Sequence, residues 1–184
     1  MILEEQFLPA IISHGDDQRT PPVFVLSSDI EESAVLELAE VLSRLEPDDT
    51  LTVYINCLGG DLTSSVSMYH LISSLPNHTR AINLGKVYSG AVLPFMACKE
   101  RLCLPNGHFL IHRAKGSLGF HMDQQEVVLT TEYFTELEKQ YRDVLVASFG
   151  SKRLVNKMLQ SETYVFAKEA LTLGIIDKVT ERLL

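Results

Sequence analysis

The sequence predicts an α/β domain with largely parallel strand pairing, and three observations carry that expectation. Short apolar strand segments around residues 23–26, 51–55 and 81–84 alternate with stretches of helical periodicity. Turn signals stand between them, at Pro47-Asp48-Asp49, Gly59-Gly60 and Pro76. The composition, 46% hydrophobic and 22% charged over 184 residues, is that of an ordinary globular chain long enough for one core.

The first twenty or so residues mix Pro, Gly, His and charge, as in Ser13-His14-Gly15-Asp16-Asp17, and close on Pro21-Pro22. Residues 1–23 are therefore expected to be an N-terminal arm or loop, and 24–184 the folded domain. Val23-Phe24-Val25-Leu26 reads as a short buried strand, and Ser28-Asp29-Ile30-Glu31 offers a capping box for a helix with Val35, Leu38, Leu42 and Leu45 on one face. Leu51, Val53 and Ile55 alternate with Thr52 and Tyr54 as a strand. Leu62, Val66, Tyr69 and Ile72 then keep helical spacing until Pro76.

A strand at 81–84 leads through a glycine turn, Gly85-Lys86-Val87-Tyr88, into a short helix after Ser89. Leu102-Cys103-Leu104 and Phe109-Leu110-Ile111 read as strands around Pro105-Asn106-Gly107. A long amphipathic helix follows Gly119, with Val127, Phe134, Leu137, Tyr141 and Val144 on one side before Gly150. A shorter helix carries Val155, Met158 and Leu159. Thr163-Tyr164-Val165-Phe166 is strand-like, Ala167 to Leu173 helical, and Gly174-Ile175-Ile176 strand again.

The formal charge of −8 comes without a basic cluster, which leaves nucleic-acid binding without an electrostatic source. The opening Met1-Ile2-Leu3-Glu4-Glu5 is acidic where a secretory signal is basic, and no apolar run approaches a bilayer span, so a cytoplasmic protein without membrane contact is expected. Cys57, Cys98 and Cys103 are odd in number and lack zinc-type spacing, as expected of free buried thiols.

Chemistry concentrates at Ser89. A strand, glycine turn and helix in succession lift a hydroxyl off the end of a sheet and leave unpaired N–H groups beside it. The second glycine turn, Asn56-Cys57-Leu58-Gly59-Gly60, can bring further backbone donors to the same edge. A serine nucleophile needs a base to take its proton and a third group to orient that base. Of six histidines, His14 lies in the arm, and His70 and His78 lie on or just after a helix. Besides His121, just past Gly119, His108 and His112 remain. Four strand residues part them by about 13 Å, too far to share a metal ion, and period-two alternation places both on one face, so spacing does not choose between them.

Five segments in order, Tyr54-Ile55-Asn56-x-x-Gly59-Gly60, Gly85-x-x-x-Ser89, Cys103-Leu104-Pro105-Asn106 with Ile111-His112, Gly116-x-x-Gly119-x-x-x-Asp123, and Ala167-x-Glu169-Ala170-x-x-x-Gly174-Ile175-Ile176-Asp177, resemble the proteolytic subunit of the Clp protease. The resemblance runs from about Phe24 to the C-terminus. It implies a ClpP/crotonase-like spiral of β-β-α units with a long protruding handle helix. It implies a serine endopeptidase that forms an acyl-enzyme, with Ser89 as nucleophile, His112 as general base and Glu162 where the family has aspartate. Asp123 and Asp177 match positions that are structural in the family.

Gly60 and Gly90 match the oxyanion hole, and Gly116, Ser117, Leu118 and Gly119 the segment that pairs with an extended polypeptide substrate. The resemblance further implies a homo-oligomer of two stacked seven-membered rings joined through the long helix, an ATP-driven (AAA+) unfoldase partner, and no cofactor or metal. Residues before Phe24 lack the family's axial-loop and first-helix pattern. Leu58 replaces the usual proline before the glycine pair, Gly90 a bulkier residue, and Pro94 falls inside a helix. Two other readings share the fold: a narrower-task peptidase, such as a phage capsid-maturation or membrane-associated peptide hydrolase, and a non-catalytic ring subunit or scaffold.

Overall fold

The computed structural model describes residues 21–115 and 122–183, so nearly all of the proposed arm lies outside the described residues. One seven-stranded sheet organises the chain. Strands β1 (Val23–Leu26), β2 (Thr50–Cys57), β3 (His78–Tyr88), β4 (Glu100–Cys103) and β7 (Lys178–Val179) run parallel in the order β1-β2-β3-β4-β7. Strand β5 (His108–Ile111) pairs in parallel with the far end of β3, and β6 (Thr163–Phe166) lies antiparallel to β5. Helices α1 (Glu32–Leu42), α2 (Leu62–Ser73) and α3 (Val92–Ala97) form the crossovers that parallel pairing demands.

The expected turn at Gly85 to Tyr88 is instead strand. Pairing runs Ile55 to Asn83 and resumes at Cys57 with Val87, so two steps along β2 face four along β3. This irregularity lets one strand serve two neighbours: Arg80 to Asn83 pair with β4, Lys86 to Tyr88 with β5. Buried Asn83 stitches the junction, accepting from Gly85 N–H at 2.8 Å and donating to the His108 carbonyl at 3.1 Å. Gly85 must be small, since a Cβ there would lie 3.0 Å from Asn56 Oδ1. The glycine marks a bulge, a role that sequence shares with a turn.

Three local expectations are also corrected. No capping box forms at Ser28 to Glu31: Glu31 is the N-cap without a side-chain bond, because Ile30 is drawn into backbone pairing with the loop after β2, through Ile30 N–H to Gly59 O and Asp61 N–H to Ile30 O. Helix α2 starts from an Asp61 cap and buries Ser64, Ser65, Met68 and Ile72; Leu62, Val66 and Tyr69 flank that stripe. The small serines permit the close approach of α2 to the turn after β3. Gly174-Ile175-Ile176 is loop and not strand, with both isoleucines buried, since the N–H groups of Ile175 and Ile176 close the preceding helix on the Ala170 carbonyl.

The core gathers Leu26, Leu38, Leu51, Ile55, Phe95, Phe109 and Ile111 between sheet and helices, with Phe95 and Phe109 edge to face at 5.0 Å. Pro94 is third in α3, inside the first turn, where N–H groups lack intrahelical partners in any case. Helix α4 (Gln124–Phe149) opens on a capping box between Asp123 and Glu126 and ends at Gly150 in left-handed backbone. At 26 residues it is about 39 Å long. Its buried residues, Leu137, Tyr141 and Leu145, all lie in its second half. Helices α5 (Lys152–Ser161), burying Val155, Met158 and Leu159 as read from sequence, and α6 (Ala167–Thr172) complete the fold. The three cysteines are free and buried. Among the described residues no helix is long and apolar enough to cross a membrane.

Candidate active site

The site is built where β3 ends. Among the described residues only two that are not glycine have backbone in the left-handed region, Ser89 at φ 52° and Glu162 at φ 46°. Such conformations cost free energy and persist only where the surroundings impose them. Around Ser89 the surroundings are explicit. A Cβ on Gly59 would lie 2.8 Å from both Ser89 Cβ and the Tyr88 carbonyl, so only a glycine lets the loop after β2 abut the serine turn. Gly60 is equally confined, since a Cβ would strike the backbone of Ile30. A Cβ on Gly90 would meet Ser65 Oγ, so Ser65 of α2 fills the space that a larger residue would need. From below, buried Tyr141 of α4 donates to the Ser89 carbonyl at 3.4 Å, its phenol pKa pushed far up by burial.

A pocket of about 360 Å³ opens here, and its lining includes Gly60, Ser89, Gly90 and His112, the four expected residues other than Glu162 that fall among those described at the site. Leu62, Phe134, Leu137 and Tyr141 give it an apolar wall. Tyr133 stands beside them, with its hydroxyl 2.9 Å from Thr63 Oγ1. The expected substrate segment, Gly116 to Gly119, lies outside the described residues.

The structure separates the two histidines that spacing left equivalent. His108 is occupied: its Nε2 is 2.6 Å from the Tyr88 hydroxyl, and its ring stacks on Phe166 at 5.5 Å. His112 lies just past β5, in the pocket, and its buried Nδ1 has no hydrogen-bond partner among the described residues. The ladder of β5 with β6 pairs His108 with Phe166 and ends at Ile111 with Thr163. His112 and Glu162 stand just past this last pair, one following Ile111 and the other preceding Thr163 as the C-cap of α5.

Glu162 does not bond the imidazole here. Its carboxylate sits 2.7 Å from Lys115 Nζ, and both side chains are more than half exposed. The Lys115 ammonium holds the Glu162 carboxyl below its ordinary range, with a smaller contribution from His112. Arg113, next to His112, makes a forked pair with Glu138 of α4 at 3.0 and 3.1 Å. Ion pairs thus tie the segment 112–115 both to α4 and to the end of α5. The rival carboxylates are engaged elsewhere: Asp123 caps α4, and Asp177 accepts from Arg101 N–H at 2.8 Å.

Sequence reasoning missed Lys115, Ser65 and the brace from Tyr141. Tyr141 was legible as one residue of an apolar stripe, but a bond across 52 residues leaves no local pattern. Among the described residues no group of three His, Cys, Asp or Glu is placed to hold a metal ion.

Comparison with known proteins agrees with this architecture. The Clp protease family model matches residues 22–183. The ATP-dependent Clp protease proteolytic subunit 2 of Leifsonia xyli subsp. xyli is 29% identical over 143 residues, covering 76% of this chain and 64% of that protein, so the match spans just under two thirds of the relative's length. The corresponding subunit of Streptococcus mutans is 23% identical over 165 residues, 86% of this chain and 84% of that one. Among solved structures, a point mutant of ClpP1 from Listeria monocytogenes aligns with a TM-score of 0.78 at 18% identity, covering 88% of this chain and 92% of that chain. The ClpP/crotonase-like fold expected from sequence is therefore the observed one. With a match that runs from the residue before β1 to the last described residue, this chain belongs to the Clp protease family.

Proposed function

We propose that the chain is a serine endopeptidase that cleaves unfolded polypeptides through an acyl-enzyme. The observation that carries this reading is the sharing of one pocket by Ser89, in strained backbone, and His112, beside the two glycines expected to supply oxyanion donors. Ser89 Oγ attacks the substrate carbonyl carbon while the imidazole takes its proton; the N–H groups of Gly60 and Gly90 receive the charge that develops on the carbonyl oxygen. The imidazolium then protonates the leaving amine, and water repeats the sequence to free Ser89. With Nδ1 buried, Nε2 is the nitrogen suited to face the serine. Glu162, an electrostatic neighbour of His112, is the acid that orients and balances the ring.

Assembly is part of the proposal. The first half of α4 exposes Val128, Leu129 and Tyr133 and has no fully buried residue in the single chain, which suits it to contact between stacked seven-membered rings. Enclosure would confine cleavage to extended chains delivered by an ATP-driven unfoldase. A fluorophosphonate probe tests the chemistry: covalent labelling is expected on the assembled protein and is lost in Ser89→Ala and His112→Ala. An absence of labelling at Ser89 in a ring of confirmed mass would falsify the peptidase reading. A mass measurement that finds monomer alone removes the ring.

A further inference from the structure

Three facts about the acid member of the site do not fit a triad at rest. The buried Nδ1 of His112 is without a partner among the described residues, although buried polar groups are nearly always bonded. Glu162, the left-handed C-cap of α5, directly precedes Thr163 in the last ladder pair while His112 directly follows its partner Ile111, and His112 is one of its electrostatic neighbours. Yet its carboxylate is bound by Lys115, a pocket-lining residue three positions after His112.

We infer that Lys115 is a latch: in the resting chain it holds the Glu162 carboxylate away from His112, and the site becomes competent when that carboxylate passes from the ammonium to the Nδ1–H of the imidazole. The inference deepens the proposed function and rests on its assignment of Glu162. Lys115 is a positioning residue, since it acts through Glu162.

The exchange is light by construction. Both partners of the pair are more than half exposed, so solvent screens it and only a small fraction of its strength opposes release. What the carboxylate gains is a charge-assisted bond to a nitrogen already stripped of water. Arg113, clamped to Glu138, keeps the segment 112–115 on α4 while the long side chains rearrange. A substrate or neighbouring subunit that draws Lys115 outward would release the carboxylate.

The experiment compares fluorophosphonate labelling rates of the full chain. Lys115→Met keeps the apolar stem and removes the ammonium; it is expected to label roughly two- to five-fold faster than wild type at low salt, the range an exposed ion pair allows. Lys115→Arg should behave as wild type. Added salt should raise the wild-type rate toward that of Lys115→Met and leave the variant flat. In a Glu162→Gln background the Met substitution should have no effect. Independently of activity, a downfield His112 Nδ1 proton should strengthen in the NMR spectrum of Lys115→Met.

Lys115→Met labelling no faster than wild type, or a gain that persists in Glu162→Gln, overturns the latch. If no chain labels at all, the serine mechanism fails, and the Nδ1 proton signal alone decides the latch: its failure to strengthen overturns it.

Discussion

The packing beneath the nucleophile can be tested by asking whether Gly90 and Ser65 depend on each other. Alanine at position 90 would put a Cβ onto Ser65 Oγ, with Ser65 Cβ at 3.2 Å and the Gly60 carbonyl at 3.6 Å as its next contacts. Overpacking of this kind costs about 1–3 kcal/mol, partly offset by the ~0.4–1 kcal/mol that Gly→Ala gains by restricting the unfolded chain, leaving about 1–2 kcal/mol of net loss. Ser65→Ala removes the hydroxyl that donates to the Asp61 carbonyl at 2.7 Å. Because that carbonyl also accepts from Ser65 N–H, the loss should be about 0.5–1 kcal/mol. Independent sites would sum to about 1.5–3 kcal/mol. The double variant should instead lose at most about 0.5 kcal/mol, since removing the hydroxyl clears the space that the new methyl needs and the Gly→Ala gain remains. Urea unfolding of the four proteins measures this cycle. Its functional counterpart is probe labelling, which should fall in Gly90→Ala as the N–H beside Ser89 is displaced, and recover in the double variant. Additivity within about 0.5 kcal/mol would show that Ser65 is not what confines Gly90.

Tyr141→Phe should cost about 1 kcal/mol in chemical unfolding through its lost bond to the Ser89 carbonyl, and should slow labelling more than it weakens peptide binding. Leu145→Ala, fully buried at the base of α4, should cost about 2–5 kcal/mol in the same unfolding measurement, whereas exposed Leu129→Ala should leave stability within about 0.5 kcal/mol and alter only the mass of the assembly. Burial pushes the Glu100 carboxyl up, but hydrogen bonds from Arg80 and His78 outweigh it and leave the pKa lowered. A pKa depressed by folding contributes stability above the ordinary carboxylate range and loses it as pH falls through the depressed value. The urea midpoint of wild type should therefore exceed that of Glu100→Gln near neutrality, and the gap should close below about pH 4.

What sequence disclosed depended on whether the determining interaction was local. Period-two alternation at Leu51, Val53 and Ile55 and the stripe of Val155, Met158 and Leu159 are local, and each element stands where it was read. Gly85 was misread as a turn because its smallness is demanded by Asn56 on another strand. Ile175 and Ile176 have the composition of a strand, but their N–H groups are taken by the Ala170 carbonyl of the preceding helix. At the site, Ser89 and the glycine pair were legible as motifs, while choosing His112 over His108 needed the resemblance, because both share one strand periodicity. Lys115 left no trace at all: a lysine three residues beyond a histidine is unremarkable until β6 brings Glu162 across from it.

The two-residue β7 has an influence out of proportion to its length. It covers the outer edge of β4, with Asp177 and Thr180 bonding the backbone of Arg101 and Cys103 on either side, 76 residues away from Arg101 in the case of Asp177. During synthesis, β4 therefore waits with one row of N–H and C=O groups bare while α4, α5 and α6 are still being made. A nascent chain stalled in that interval would be a template for unwanted strand pairing, and a chaperone that shields this edge would have its greatest effect before residue 177 emerges.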